Sequence, residues 1–281
     1  MRLSVRHLTT YTYEAAPDRC ALRLRLYPPS FDGQRVASWK VSVNGQPIAP
    51  LLTSFTGDRE SIWTCSGPTE TVEIAAEGDI ETKDAAGVVK GLRDTSRPGI
   101  YLRSTPLTQS SPAIEEMAAS ATGAKTLDKL HALMAAVRDA IDYKTGSTST
   151  ATTAAQALKA GAGVCQDHAH VFISAARTMK VPARYVVGYL LAQDENLTET
   201  HAWAEAHVPE IGWVGFDPAN RLCPTDRYVR LGCGADSADA APIRGNVSGS
   251  PGERLTASVD ITQTQTQNQT QNGQTQSQSQ Q

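Results

Sequence analysis

The hydrophobic pattern changes period near residue 95, and that change decides the architecture. Before it, "RLSVRHLTTYTY" (2–13) and "CALRLRLYPP" (20–29) alternate apolar and polar side chains, the pattern of a half-buried strand. "SWKVSVNGQPIAPL" sets Asn44-Gly45 between two alternating runs, a two-residue hairpin signal because both turn residues need positive φ. "SIWTCSG" and "TVEIAAEGDIET" extend the series, so residues 1–95 are expected to form an antiparallel β-sandwich. "DTSRPGIYLRSTPLTQSSP", with its prolines, reads as an extended connector over 96–110.

Beyond the connector the spacing becomes helical. Ser111-Pro112 caps "AIEEMAASAT", and Leu127, Leu130, Leu133, Met134, Val137 and Ile141 line one face of the next segment. A polar loop, "KTGSTSTATT", leads to a short helix, "AAQALKA". A further helix is expected over Cys165–Lys180, with Ala169, Phe172, Ile173 and Ala176 on the face of Cys165 and Pro182 stopping it. "ARYVVGYLLA", "HAWAEAHV" and "GWVGFDP" then read as three strands, separated by "QDENLTET" and by a turn at Pro209-Glu210-Ile211-Gly212. Helices followed by strands make residues 111–262 an α+β core with a C-terminal strand. Residues 263–281, rich in Gln, Thr, Asn and Ser, have no apolar periodicity and are expected to be disordered.

Composition narrows the partners. Hydrophobic content of 40% and charged content of 20% suit a globular protein with sizeable cores. The net charge of -3 gives no reason to expect nucleic acid or an anionic membrane as partner. The first twenty residues lack a continuous apolar stretch, so no signal peptide is expected, and the expected location is the cytoplasm. Cys20, Cys65, Cys165, Cys223 and Cys233 are odd in number and scattered, which argues against a disulfide framework or a zinc knuckle.

The chemistry concentrates in "AGAGVCQDHAH" (160–170). Cys165 opens a helix, where free backbone N–H groups and the positive end of the dipole stabilise a thiolate. Gly161 and Gly163 permit a tight entry and close approach of a substrate backbone. A nucleophilic cysteine needs a base from elsewhere in the chain. His201 opens one strand and Asp217 closes the next, so an antiparallel pairing about Gly212 makes them cross-strand partners. Thiolate, imidazole and carboxylate then stand in the chain order Cys165, His201, Asp217.

"GAGVCQDHAHVFISAARTMKVPARYVVGY" followed by "HAWAEAHVPEIGWVGFDPAN" resembles the bacterial transglutaminase-like superfamily, and the β-rich first part resembles the N-terminal region of its bacterial branch. The resemblance implies a papain-like core with Cys165, His201 and Asp217 as the catalytic set. It also implies acyl transfer through a thioester on peptide or glutamine amides of a protein or peptide substrate. Hydrolysis is favoured over transamidation because water is the default acceptor. The Cys165 N–H is the first oxyanion donor; Gln166, Gln156 and Tyr143 are candidates for the second, and Trp203 for contact with substrate. A non-catalytic peptide-binding module retaining the cleft is the alternative.

Blander uses exist for the neighbours. His168 and His170 point about 200° apart on a helix and cannot close on one ion, so no metal and no cofactor are expected. Asp167 suits the helix N-terminus, and His170 the core or the neighbourhood of the site. His207 competes with His201 but lies farther from Asp217. Trp213 is read as cover for cleft and core, and Asn220 and Arg221 as an ordinary turn at the cleft rim. The glutamine-rich end is read as a solvated tail, with self-modification as the alternative use.

Overall fold

The computed structural model describes residues 1–65, 69–191, 200–250 and 252–264. Most of the expected tail (265–281) and of the loop "QDENLTET" (193–199 of 193–200) lies outside the described residues.

Among these residues two antiparallel sheets form the sandwich. One runs in the order Glu253–Gln263, Arg2–Tyr13, Thr71–Thr82, Gln34–Val43, Gln46–Pro47; the other in the order Ile243–Ser248, Arg19–Tyr27, Arg59–Cys65, Leu52–Thr53. Alternation works as expected: Leu3 and Val5 turn inward to Leu22, Leu24, Ile74 and Val259, while Arg2 and Arg6 face water. Asn44 and Gly45 take φ of 48° and 75°, the left-handed turn that their sequence signals.

The α+β expectation for the core is met. Its sheet runs Tyr228–Gly234, Ala183–Leu190, Thr200–Val208, Gly212–Phe216, Val88–Val89, all antiparallel. Four helices accompany it: α1 (Pro112–Ser120), α2 (Thr126–Ala140), α3 (Ala154–Ala160) and α4 (Cys165–Thr178). Leu130, Leu133, Val137, Phe172 and Ile173 meet Tyr185, Val187, Ala202, Ala204 and Ala206 of the sheet in one buried cluster. The connector makes two 3-10 turns, and the buried Arg177 guanidinium ties them to α4 by donating to Tyr101 O at 2.8 Å and Thr108 Oγ1 at 2.7 Å.

Two features differ from the sequence reading. Residues 243–248 and 253–262, placed by that reading at the end of the core, and Gln263, placed in the tail, pair with Arg19–Tyr27 and Arg2–Tyr13 and complete both sandwich sheets. Alternation identifies a strand, but the partner is set by long-range ladders that local pattern does not encode. A short parallel pair, Asp142–Tyr143 with Ala162–Gly163, holds the end of α2 against the entry to α4.

The far face of the core sheet packs on the sandwich through Tyr189, Val229 and Leu231. Buried charges cross the same boundary. Glu205 accepts from Arg184 Nε at 2.7 Å and Arg230 Nε at 2.9 Å, Arg230 reaches Asp58 at 3.4 Å, and Arg184 pairs with Asp94. Arg184 also lies over the Trp213 ring, 3.9 Å from its centroid.

Candidate active site

The site begins at the entry to α4. Gly161 caps α3 in the left-handed conformation (φ 63°), and the chain then passes Gly163. A Cβ on Gly163 would lie 2.7 Å from the Asp167 carboxylate, so only glycine leaves room for that side chain. Asp167 Oδ2 accepts from Val164 N at 2.8 Å and from the Thr148 hydroxyl at 2.6 Å. A buried carboxylate thus closes the first turn, the role its position suggested. Cys165 is the first helical residue and is half-buried.

His201 comes to this point from the strand Thr200–Val208. Its Nε2 is 2.6 Å from Asp217 Oδ2, and Cys165 lies near enough to raise its proton affinity. With Nε2 engaged by the carboxylate, Nδ1 is the nitrogen left for sulfur. Register explains the meeting: Ala204 pairs with Phe216 and Ala206 with Val214, which sets Asp217 diagonally across from His201 on the face of Trp203. The expected cross-strand partnership is therefore diagonal, one pleat removed from direct opposition.

Electrostatics fix the charge state. Burial alone would lower the His201 pKa, but the charge and hydrogen bond of Asp217, and then Cys165, push it up to about 10. Burial works to raise the Asp217 pKa, yet His201, Asn220 and Tyr228 hold it below the ordinary carboxylate value. Asn220 Nδ2 and the Tyr228 hydroxyl each donate to Asp217 Oδ2 at 2.7 Å. The surroundings of His201 therefore favour its protonated ring, beside the Asp217 carboxylate.

Around this pair lies an aromatic wall. Trp203 stacks on His201 (centroids 6.2 Å, 26°), and Tyr228 meets both rings edge-on. Trp203 reaches this position because position 188 is glycine: a Cβ there would lie 2.7 Å from the indole and 2.1 Å from Val229 O. On the open side is a cleft of about 1890 Å³ including open solvent, lined among others by Tyr143, Gln166, Val187, Leu191, Asn220 and Arg227.

The other sequence candidates separate clearly. Gln166 and Tyr143 line the cleft with Cys165, Tyr143 carried there by the parallel pair. Gln156 does not: its Oε1 accepts from Thr153 N at 2.9 Å and Thr153 Oγ1 at 3.1 Å, making a capping box for α3. Trp203 is buried, stacks on His201 and is not among the residues that line this cleft. His168 is buried, its ring nitrogens facing the carbonyls of Val164 (2.8 Å) and Ile141 (3.0 Å). His170 sits in the core, accepts from Ser237 N at 3.1 Å, and has its pKa lowered by burial to about 4. His207 packs edge-on against Trp213, roughly 20 Å along the strand from His201. Among the described residues no group of three His, Cys, Asp or Glu is placed to hold a metal ion.

Sequence reasoning missed Tyr228 and undervalued Asn220. Asn220 is a turn residue, as read, but its amide serves Asp217 and comes within 3.4 Å of His201 Nε2. The available signal was proximity in sequence: three residues after an aspartate is hydrogen-bonding range for a turn. Arg221 pairs at the surface with Asp139.

Comparison with known proteins is consistent with this geometry. Residues 114–218 match the model for the transglutaminase-like superfamily, and residues 3–81 match that for the bacterial transglutaminase-like N-terminal region. An uncharacterized protein of Mycobacterium leprae is 28% identical, over 93% of this chain and 99% of its own length. An uncharacterized protein of Mycobacterium tuberculosis is 27% identical, over 92% of each. A protein of Cytophaga hutchinsonii, provisionally called a cysteine protease, has a crystal structure that superposes with a TM-score of 0.69. It is 24% identical, over 92% of this chain and 90% of that one, a likeness of fold.

Proposed function

We propose, from the match of residues 114–218 to the transglutaminase-like superfamily and of residues 3–81 to the bacterial transglutaminase-like N-terminal region, that the chain transfers acyl groups from amides through a thioester on Cys165. One observation carries this reading: Cys165, at the N-terminus of α4, lines one cleft with a histidine whose Nε2 is 2.6 Å from a buried aspartate. Sulfur attacks the amide carbonyl, and the His201 imidazolium protonates the departing nitrogen. Asp217 holds the ring in place and stabilises its charge. The Cys165 N–H, free at the helix start, receives the developing oxyanion, with Gln166 and Tyr143 as neighbouring donors in the cleft.

Water is the favoured second acceptor, making the enzyme a protease or amidase before a transamidase. The support is the openness of the cleft, whose described wall includes Tyr143 at 47% exposure, so solvent is not shut out on that side. Wild-type protein and Cys165→Ala, incubated with peptide libraries and read by mass spectrometry, test this. Cleaved or deamidated peptides from wild type alone are the expected result. Cross-linked products would move the reading to transamidation, and identical spectra from both proteins would remove it.

A further inference from the structure

The five cysteines are scattered in the sequence, yet the fold sets two of them face to face. Cys20 of Arg19–Tyr27 and Cys65 of Arg59–Cys65 are register partners on adjacent antiparallel strands. Directly opposed residues of such a pair stand about 4.5–5.5 Å apart at Cα. A disulfide spans about 4.4–6.8 Å between its Cα atoms, so the backbone already has the separation that a bridge needs. Of the other three, Cys233 is paired with Val186, Cys165 opens α4, and Cys223 lies in no strand.

The side chains also point the right way. Cys20 and Leu22 on one strand, and Cys65 and Trp63 on the other, turn to the same side and join the sandwich core. Cys20 is buried there, with the Tyr13 hydroxyl 3.8 Å from its sulfur. Burial raises the Cys20 pKa; the Tyr13 contact opposes that rise and the neighbouring Cys65 adds to it. Cys65 is only half-buried, so a small reagent meets it first. A bridge here would close the loop 21–64. That loop includes Gln34–Val43 of the opposite sheet, so the closure would tie together the crossing between the two sheets.

We propose that Cys20 and Cys65 are a disulfide-forming pair, oxidised by a low-molecular-weight disulfide, and that their bridge staples the sandwich. The Cys65 thiolate bonds to one sulfur of the small disulfide, whose S–S bond breaks and releases one small thiolate. Cys20 gives up its proton and its sulfur bonds to that of Cys65, from which the second small thiolate leaves. The two protein thiols lose two electrons and two protons. The small disulfide takes up both and becomes two small thiols.

The test equilibrates the full chain in glutathione buffers from reducing to oxidising, alkylates the remaining thiols, and maps the peptides without reduction. Cys20 and Cys65 are expected to escape alkylation together and to appear in one linked pair, about 2 Da lighter than the two free-thiol peptides. The thermal midpoint of the bridged form is expected to rise by roughly 5–15 °C, while that of Cys65→Ser does not respond to oxidation. Cys20→Ala is expected to hold glutathione on Cys65, as the order of attack requires. Cys20 and Cys65 alkylated at every ratio, carrying glutathione separately, or linked to another cysteine or another molecule overturn the pairing. A bridge that forms without raising the midpoint, or an equal rise in Cys65→Ser, overturns the staple. An unmodified Cys65 in Cys20→Ala overturns the order of attack. The wild-type map decides the pairing even where a variant fails to fold.

Discussion

Asp217 has no exposed surface, and its carboxylate is fully engaged: His201, Asn220 and Tyr228 reach Oδ2, and the Asn220 N–H reaches Oδ1 at 3.3 Å. Asp217→Asn keeps the shape and removes the charge that holds the imidazolium. The wild-type His201 pKa is about 10 against an ordinary 6.5. Because the folded value is the higher one, the protonated ring contributes its full stability below pH 6.5, and that contribution is lost as pH rises through about 10. Asp217→Asn is expected to bring the alkaline limb of turnover to lower pH and to slow turnover roughly a hundred- to ten-thousand-fold, as a pH–rate profile would record. A limb that stays in place would mean that Asp217 does not set the proton affinity of His201. Cys165, His201 and Asp217 were legible in the sequence because each stands at an element end that the hydrophobic pattern marks. Tyr228 was not, because nothing local distinguishes a core tyrosine from one whose hydroxyl finds a carboxylate eleven residues back.

At the scale of elements, the position of Cys165 depends on how α4 starts. Gly163→Ala would put a methyl group 2.7 Å from Asp167 and force the carboxylate off Val164 N and the Thr148 hydroxyl. The expected cost is about 1–3 kcal/mol in urea denaturation, from a buried acceptor losing its donors. Alkylation of Cys165 by iodoacetamide should slow as well; an unchanged rate would show that the cap does not place the thiol. The four described helices and the long strands before residue 217 were readable from period alone. The pair Asp142–Tyr143 with Ala162–Gly163 was not, because two residues carry no period, yet it is what brings Tyr143 to the cleft. The strands at 243–248 and 253–263 were misassigned for a different reason: their nearest sequence neighbours belong to the core, and their partners lie over two hundred residues back.

Across the whole molecule, Glu205 joins the strand that carries His201 to the boundary with the sandwich. Burial opposes its ionisation, but Arg230 and Arg184 hold its pKa at about 2 against an ordinary 4.5. The folded value is the lower one, so its contribution is present above pH 4.5 and is lost as pH falls towards 2. Glu205→Gln leaves two buried guanidinium groups short of counter-charge and should cost about 3–5 kcal/mol, read by thermal denaturation. The same variant should also lose stability less steeply through that acid window; an equal slope would place the acid sensitivity in other carboxylates. The route of the chain between the two sheets of the sandwich has a further consequence for its birth. On the ribosome both sheets keep a raw edge, along Arg2–Tyr13 and Arg19–Tyr27, while the four described helices and the described cleft wall are synthesised. A message cut short after residue 240 would still encode sulfur, imidazole and carboxylate, but on a molecule with two unsealed ladders, the condition in which nascent chains stick to one another.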